Sequence, residues 1–298
     1  MVMKILVPVD GSEYSDGAVG FLSGWNLTEE DEVVLLYVVD FVPMTTEIPA
    51  YIEISQVLLN EVAPRLLEEA EKIITSTKAK VTKEPKEGPV AQTIIDTAID
   101  VNADLIVMGT RGRKGLEGLL LGSTARAVAS KAPVPVLVVR KNLWGKKGPL
   151  KVLIATDGTE YSQNAIDTFK KLPLDEQSEI TVMHVVQSAV HDIPERFFIE
   201  VDDRMKSLVE KVRTEEFNRA SSVVDTAAEQ ISQKFQKVHT LLKTGDPSEE
   251  ILQAAKVLEA DLIVTGCRGR TGLKGMLGSV SRDILRHAES SVLICKRC

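Results

Sequence analysis

The chain has 298 residues, about twice a common single domain of roughly 100–150 residues. With 36 Lys and Arg against 43 Asp and Glu its formal charge is −7, which argues against an affinity for DNA or RNA built on phosphate neutralisation. A composition of 44% apolar and 27% charged residues fits a folded globular chain and not a disordered one. No apolar run approaches the roughly 20 residues of a membrane-spanning helix, and the first strand starts too early for a secretory signal. Three cysteines then read as those of a protein kept in a reducing cytoplasm.

In chain order, Ile5–Val9 reads as a short buried strand stopped by Asp10-Gly11-Ser12, with a helix from about Ser15 to Trp25. Val33–Val39 is a second buried strand, and Gln56–Thr77 a long helix broken or kinked near Pro64. A polar strand covers Ala79–Lys83. Gly88-Pro89 opens a helix whose Val90, Ile94, Ile95, Ala98 and Ile99 recur at helical spacing. Leu105–Met108 and Pro135–Val139 are the last strands of this half, with a glycine-rich loop and a helix between them.

The same plan then repeats. Lys4-Ile5-Leu6-Val7-Pro8-Val9-Asp10-Gly11-Ser12-Glu13-Tyr14-Ser15 matches Lys151-Val152-Leu153-Ile154-Ala155-Thr156-Asp157-Gly158-Thr159-Glu160-Tyr161-Ser162, an offset of 147. Ala103–Arg113 matches Ala260–Arg270 at an offset of 157, so the second copy carries ten extra residues before that point. A period this long means two whole domains and not a solenoid. The expected strands of the second half are Val152–Thr156, Ile180–Val186, Val238–Lys243, Leu262–Thr265 and Ser291–Cys295. Its helices are Ser162–Leu172, a long one within Val201–Phe235, and Pro247–Leu258. The expected organisation is a domain of residues 1–141, a linker of 142–149 and a domain of 150–298. Continuously apolar strands separated by helices imply α/β architecture: two tandem doubly wound, Rossmann-like domains, each a five-stranded parallel sheet with helices on both faces.

In such sheets ligands bind outside the carboxyl ends of the strands, where strand order reverses. The residues emerging there are Val9-Asp10 and Thr156-Asp157, Val38 and Val185, and the loops that begin Gly109-Thr110-Arg111-Gly112 and Gly266-Cys267-Arg268-Gly269. The first of these loops runs to Gly122-Ser123, where a helix begins and where unpaired amides and the helix dipole favour phosphate. Arg111, Arg113 and Lys114 add positive charge to an acidic chain. For one copy alone, a glycine-rich turn with a serine helix cap is an equal rival, and an Asx-turn is the rival reading of Asp10 and Asp157. Two copies favour phosphate.

The spacing Gly109-x2-Gly112-x9-Gly122-Ser123 after Val107-Met108 resembles the nucleotide-binding signature of the universal stress protein family. Lys4–Asp10 and Leu36-Tyr37-Val38-Val39-Asp40 are similar to that family too, and the resemblance covers both halves. It implies that Asp10 and Val38 hold the adenosine part of ATP or AMP. It places Met108 and Gly109 beside the ribose and first phosphate, and Gly112, Gly122, Ser123 and Thr124 around the phosphates. The matching positions are Asp157, Val185, Thr265, Gly266, Gly269, Gly278, Ser279 and Val280. One departure matters: eight residues separate Gly269 from Gly278 where nine separate Gly112 from Gly122. The second site is therefore expected to bind AMP, to bind weakly, or to be empty. The resemblance further implies that the last strands, Val134–Val139 and Val292–Cys295, pair as an internal pseudo-dimer, and it leaves room for a homodimer.

Competing chemistry fits poorly. There is no Gly-x4-Gly-Lys-Ser/Thr, and the first strand is not followed by Gly-x-Gly-x-x-Gly. His184, His191, His239 and His287 lack metal-ligand spacing. No nucleophile or acid–base pair is evident on either loop. The reading is an adenine-nucleotide-binding stress-response protein whose occupancy sets conformation or partner choice. The alternative is a slow ATPase or phosphotransferase using the same site, with Mg²⁺ accompanying ATP. Cys295-Lys296-Arg297-Cys298 reads as a frayed tail before it reads as a redox pair, and Cys267 as a small residue in the place of Thr110. Phe41–Ile54 and Gln187–Glu200 vary between the copies and are candidates for lids or an interdomain contact.

Overall fold

The computed structural model describes residues 2–40, 49–74, 77–112, 121–188, 203–268 and 277–296. The first half contains β1 (Lys4–Pro8), α1 (Glu13–Leu22), β2 (Glu32–Asp40), α2 (Pro49–Val57), α3 (Ala63–Ile73), β3 (Lys80–Gly88), α4 (Val90–Asp100), β4 (Leu105–Gly109), α5 (Ser123–Lys131) and β5 (Val136–Val139). The second contains β6 (Lys151–Ala155), α6 (Glu160–Lys171), β7 (Glu179–Val186), α7 (Asp203–Ser232), β8 (Lys237–Thr244), α8 (Pro247–Val257), β9 (Leu262–Gly266), α9 (Ser279–His287) and β10 (Ser291–Cys295). Within each half the pairing is parallel, and β1 lies between β2 and β4 as β6 lies between β7 and β9. The chain therefore reverses direction across the sheet at β1/β4 and at β6/β9.

Side chains alternate across each strand, so a sheet with helices on both faces needs apolar residues at consecutive positions. In β1 and just beyond it, Ile5, Val7 and Val9 join one buried cluster with Phe21, Leu22 and Leu67. Leu6 joins the opposite cluster with Ile94, Ala98 and Val128. The helices follow suit: α1 and α3 cover the first face, α4 and α5 the second, and the later copy repeats the division.

The two five-stranded sheets are one sheet. Its order is β3-β2-β1-β4-β5-β10-β9-β6-β7-β8, and among the described residues the only antiparallel step is β5 against β10. Leu137 pairs with Leu293, flanked by Val138 with Val292 and Val136 with Ile294. Leu137 and Leu293 are equivalent positions of the repeat, so the ladder is self-complementary about a local twofold axis, as in an isologous dimer contact. The last strands of the two halves, expected to pair, are thus the central pair of the sheet, and the polar β3 and β8 are its edges.

The segment expected to be a linker is docked. Leu143 is fully buried, and Trp144 packs edge-on against Tyr14 with ring centroids 5.4 Å apart. Asn142 Nδ2 donates to the Asp261 carbonyl at 2.7 Å, and Lys146 pairs with the Asp261 carboxylate. The long helix expected from Gln56 begins earlier, at Pro49. It passes through a π-helical turn, Leu58–Val62, and resumes at Ala63. Pro64 has no amide hydrogen to give, and the π turn absorbs that loss without breaking the helix. α7 has no proline in its 30 residues and is continuous. β3 runs to Gly88 and not Lys83, tolerating Pro85 because it is an edge strand. The extra ten residues of the second half fall between β7 and β8. The candidate lids lie largely outside the described residues, although Pro49–Ile54 begins α2. Among the described residues no helix is long and apolar enough to cross a membrane.

Candidate functional site

Each reversal point carries a cavity. The first, about 480 Å³, is lined by Val9, Asp10, Val38, Met108, Gly109, Arg111, Gly112, Gly122, Ser123 and Thr124, among others. Those are ten of the first-copy residues singled out in the sequence. Size and a mostly apolar wall with a few polar groups suit a small organic ligand.

The tip of β1 is built by a tight turn. Asp10 Oδ1 accepts from the Ser12 amide at 3.1 Å and from Ser12 Oγ at 2.6 Å, and Gly11 takes φ +72°. Ser12 in turn caps α1 by accepting from the Ser15 amide at 3.3 Å. The local role of Asp10 is therefore real. Its other oxygen, Oδ2, points at the loop after β4: a Cβ on Gly112 would stand 2.4 Å from it. Glycine at 112 lets that loop's backbone close onto the carboxylate. Negative charge there is felt nearby, since burial and then Asp10 raise the Asp16 carboxyl above its usual range.

Gly109 has a different job. A Cβ there would lie 2.4 Å from the Tyr14 carbonyl oxygen, so glycine allows β4 to end against α1. Arg111 is half-buried. Its Nη1 donates to Tyr14 Oη at 3.1 Å, and its guanidinium lies 5.4 Å from the Tyr14 ring centroid. The loop after β4 is closed by the Gly122 amide donating to the Thr110 carbonyl at 2.7 Å. Residues 113–120, with Arg113 and Lys114, lie outside the described set.

Ser123 is not a helix cap. The N-cap of α5 is Gly122, which has no side chain to cap that helix with. By contrast Ser12, Thr159 and Asp246 cap α1, α6 and α8 through their side chains. The first-turn residues of α5 line the cavity, which brings the positive end of the helix dipole to it. Arg126, in the first turn of the same helix, also lines it.

The second cavity is larger, about 720 Å³, and is lined by Thr156, Asp157, Val185, Thr265, Gly266, Arg268, Gly278, Ser279 and Val280. Gly269 lies outside the described residues. The turn chemistry repeats, with Thr159 Oγ1 donating to Asp157 Oδ1 at 2.5 Å. The loop closure repeats too, with the Gly278 amide donating to the Cys267 carbonyl at 2.8 Å. The one-residue shortening thus falls on residues outside the described set, between ends that match the first copy. α9 likewise has a glycine, Gly278, as its N-cap. Arg268 is buried, 5.5 Å from the Tyr161 ring centroid.

The floors differ. Thr156 and Thr265 replace Val9 and Met108, and His184 enters the lining. These polar groups are satisfied within the protein: Thr156 Oγ1 donates to Ser162 Oγ at 3.1 Å, and His184 Nδ1 donates to the Thr156 carbonyl at 2.7 Å. From α7, Glu216 and Arg219 also reach this cavity.

Sequence reasoning missed Arg126 and Arg282, which line the two cavities three residues after Ser123 and Ser279. The signal was present, because both copies carry arginine at that position of the helix. It also missed Tyr14 and Tyr161 as seats for Arg111 and Arg268. The tail reading of Cys295 is corrected: it closes β10, is 1% exposed, and burial pushes its thiol far up, away from the reactive thiolate. Cys267 is buried and disulfide-bonded, which corrects its reading as no more than a small residue in the place of Thr110; Cys298 and His191 lie outside the described residues. His239 is exposed, 3.5 Å from Glu179, and His287 contacts the Asp283 carbonyl of its own helix.

The model of the universal stress protein family matches residues 1–140 and again 150–296. The chain belongs to the universal stress protein family and carries its domain twice. It is 29% identical to a universal stress protein of Mycolicibacterium smegmatis over 305 residues, covering 98% of this chain and 96% of that one. It is 39% identical to a universal stress protein of Methanocaldococcus jannaschii over 140 residues, 46% of this chain and 82% of that one. The crystal structure of a universal stress protein from Archaeoglobus fulgidus shares the fold, with TM-score 0.64 and 22% identity across 99% of this chain and 96% of that one.

Proposed function

We propose that the first cavity binds an adenine nucleotide, ATP or AMP, and that occupancy sets the conformation or partner choice of the chain in a cytoplasmic stress response. The observation that carries this reading is the N-terminus of α5, which begins at a glycine, lining one cavity together with Asp10, Arg111 and Arg126. Phosphates would take the first-turn amides of α5 and the arginines. Asp10 would accept from ribose hydroxyls, and Val9, Val38, Ile94 and Met108 would enclose the base. Asp10 and Asp40 are the lining carboxylates that a magnesium ion accompanying a triphosphate could use. The second cavity, with a more polar floor, would hold the same ligand class less tightly. Since β5 and β10 pair with each other, a homodimer would have to use another face.

Mass spectrometry of nucleotide released from the purified chain, together with ATP and AMP titration calorimetry, tests the reading. Asp10→Ala should weaken first-site binding about 10- to 100-fold, the value of a hydrogen bond to a charged group. No released nucleotide and no heat of binding would remove it.

A further inference from the structure

Two buried cations cross the seam between the halves, and they cross it reciprocally. Arg140 follows β5 of the first half and is 6% exposed; its Nη2 donates to the Leu285 carbonyl of α9 at 2.8 Å. Lys296 follows β10 of the second half and is 8% exposed; its Nζ donates to the Ser130 carbonyl of α5 at 3.0 Å. Both acceptors lie in the last turn of their helices, where carbonyls lack intrahelical partners and the dipole favours a cation. Both helices carry a cradle at the other end: Ser123 and Thr124 of α5 line the first cavity, and Ser279 and Val280 of α9 the second. Each helix has nine residues, so a cation and an anion at its two ends are about 13 Å apart along the axis.

Each cation is also electrostatically tied to the cavity of its own half. The charge of Arg111 is felt at Arg140, which burial and that neighbour together bring down to about 10. The charge of Arg268 is felt at Lys296, brought down to about 8 by burial and then by that neighbour. An anion beside Arg111 offsets the repulsion on Arg140. Arg140 then holds the end of α9 more firmly, and α9 presents its opposite end to the second cavity. The path from the second cavity through Arg268, Lys296 and α5 is the mirror of this one.

We propose that Arg140 and Lys296 are positioning residues that couple the two cavities, so that an anion held at one cradle helix tightens the cradle helix of the other half. The coupling rests on the nucleotide-binding reading above. It concerns communication between the sites and not the identity of either ligand.

The test uses the full-length chain carrying Asp157→Ala and Arg282→Ala, which weaken the second cavity's hold on phosphate. Amide hydrogen exchange of α5 and α9 is read by mass spectrometry with and without ATP at a concentration that saturates the first cavity. ATP should slow exchange in the last turn of α9 about fivefold or more, the lower end of ordinary allosteric coupling. Arg140→Met should abolish that slowing, and Arg140→Lys should keep it. Arg140→Gln, which retains a donor but not the charge, should lose it and serves if the methionine variant does not fold. Slowing that survives loss of the charge at 140, or α9 exchange that ignores ATP while α5 responds to it, overturns the coupling. If neither helix responds and calorimetry detects no binding, the nucleotide reading itself falls, and the coupling with it.

Discussion

The two halves share a backbone plan and differ in how their cavities are furnished. Both have an aspartate turn after the first strand, a loop closed by the same backbone hydrogen bond, and a following helix whose N-cap is a glycine. The first cavity has an apolar floor of Val9 and Met108; the second has Thr156, Thr265 and His184, already bonded to their neighbours. The cradle is thus the part both copies share, and the floor is the part that diverged. A phosphate site and a base site are separable problems, because amides and dipole serve the one and side-chain packing serves the other.

The largest expected effect tests whether the halves are one folding unit. Leu137 and Leu293 face each other at the local twofold axis, both fully buried. Leu137→Ala and Leu293→Ala should each cost about 2–5 kcal/mol in urea denaturation, and the double variant should cost less than their sum because the side chains are neighbours. Additive losses, or two separate unfolding transitions, would mean that the seam does not join the halves energetically.

A smaller effect compares the strand ends. A Cβ at Gly109 meets the Tyr14 carbonyl at 2.4 Å, whereas one at Gly266 meets the Tyr161 carbonyl at 2.8 Å. Backbone cannot swing aside as a side chain can. Gly109→Ala should therefore destabilise by about 3 kcal/mol and Gly266→Ala by about 1–2, within the range for overpacking. Equal losses would remove this distinction between the copies.

The smallest effect at neutral pH lies in the buried cations. Lys296 titrates near 8 in the folded chain against 10.5 for the ordinary amine. The unfolded chain therefore binds more protons between those values, and its stability relative to the native state falls as pH rises through them. Folding stability should rise from about pH 8 towards 10.5, the gain being complete above the unfolded value and absent below the folded one. Lys296→Met should flatten that slope, while Arg140→Met should leave it, because the Arg140 window opens only near 10. Denaturation midpoints measured from pH 7 to 10 decide the matter.

The duplicated plan, the strand cores and the residues at the strand tips were legible in the chain, for local reasons. Alternation of buried positions is written in consecutive apolar residues such as Ile5, Leu6 and Val7, and a turn such as Asp10-Gly11-Ser12 encodes its own hydrogen bonds. What folding in three dimensions decided was everything that depends on a distant partner. Gly109 as a seat for α1, Tyr14 beneath Arg111, and Trp144 docked where a linker was expected have no local signature. The crossed grip of Arg140 and Lys296 belongs to the same class, whereas the pairing of the last strands that joins the two sheets was already implied by the family resemblance. A buried cation on a carbonyl some 145 residues away follows from where the strands and helices come to rest, and only the packed molecule contains that information.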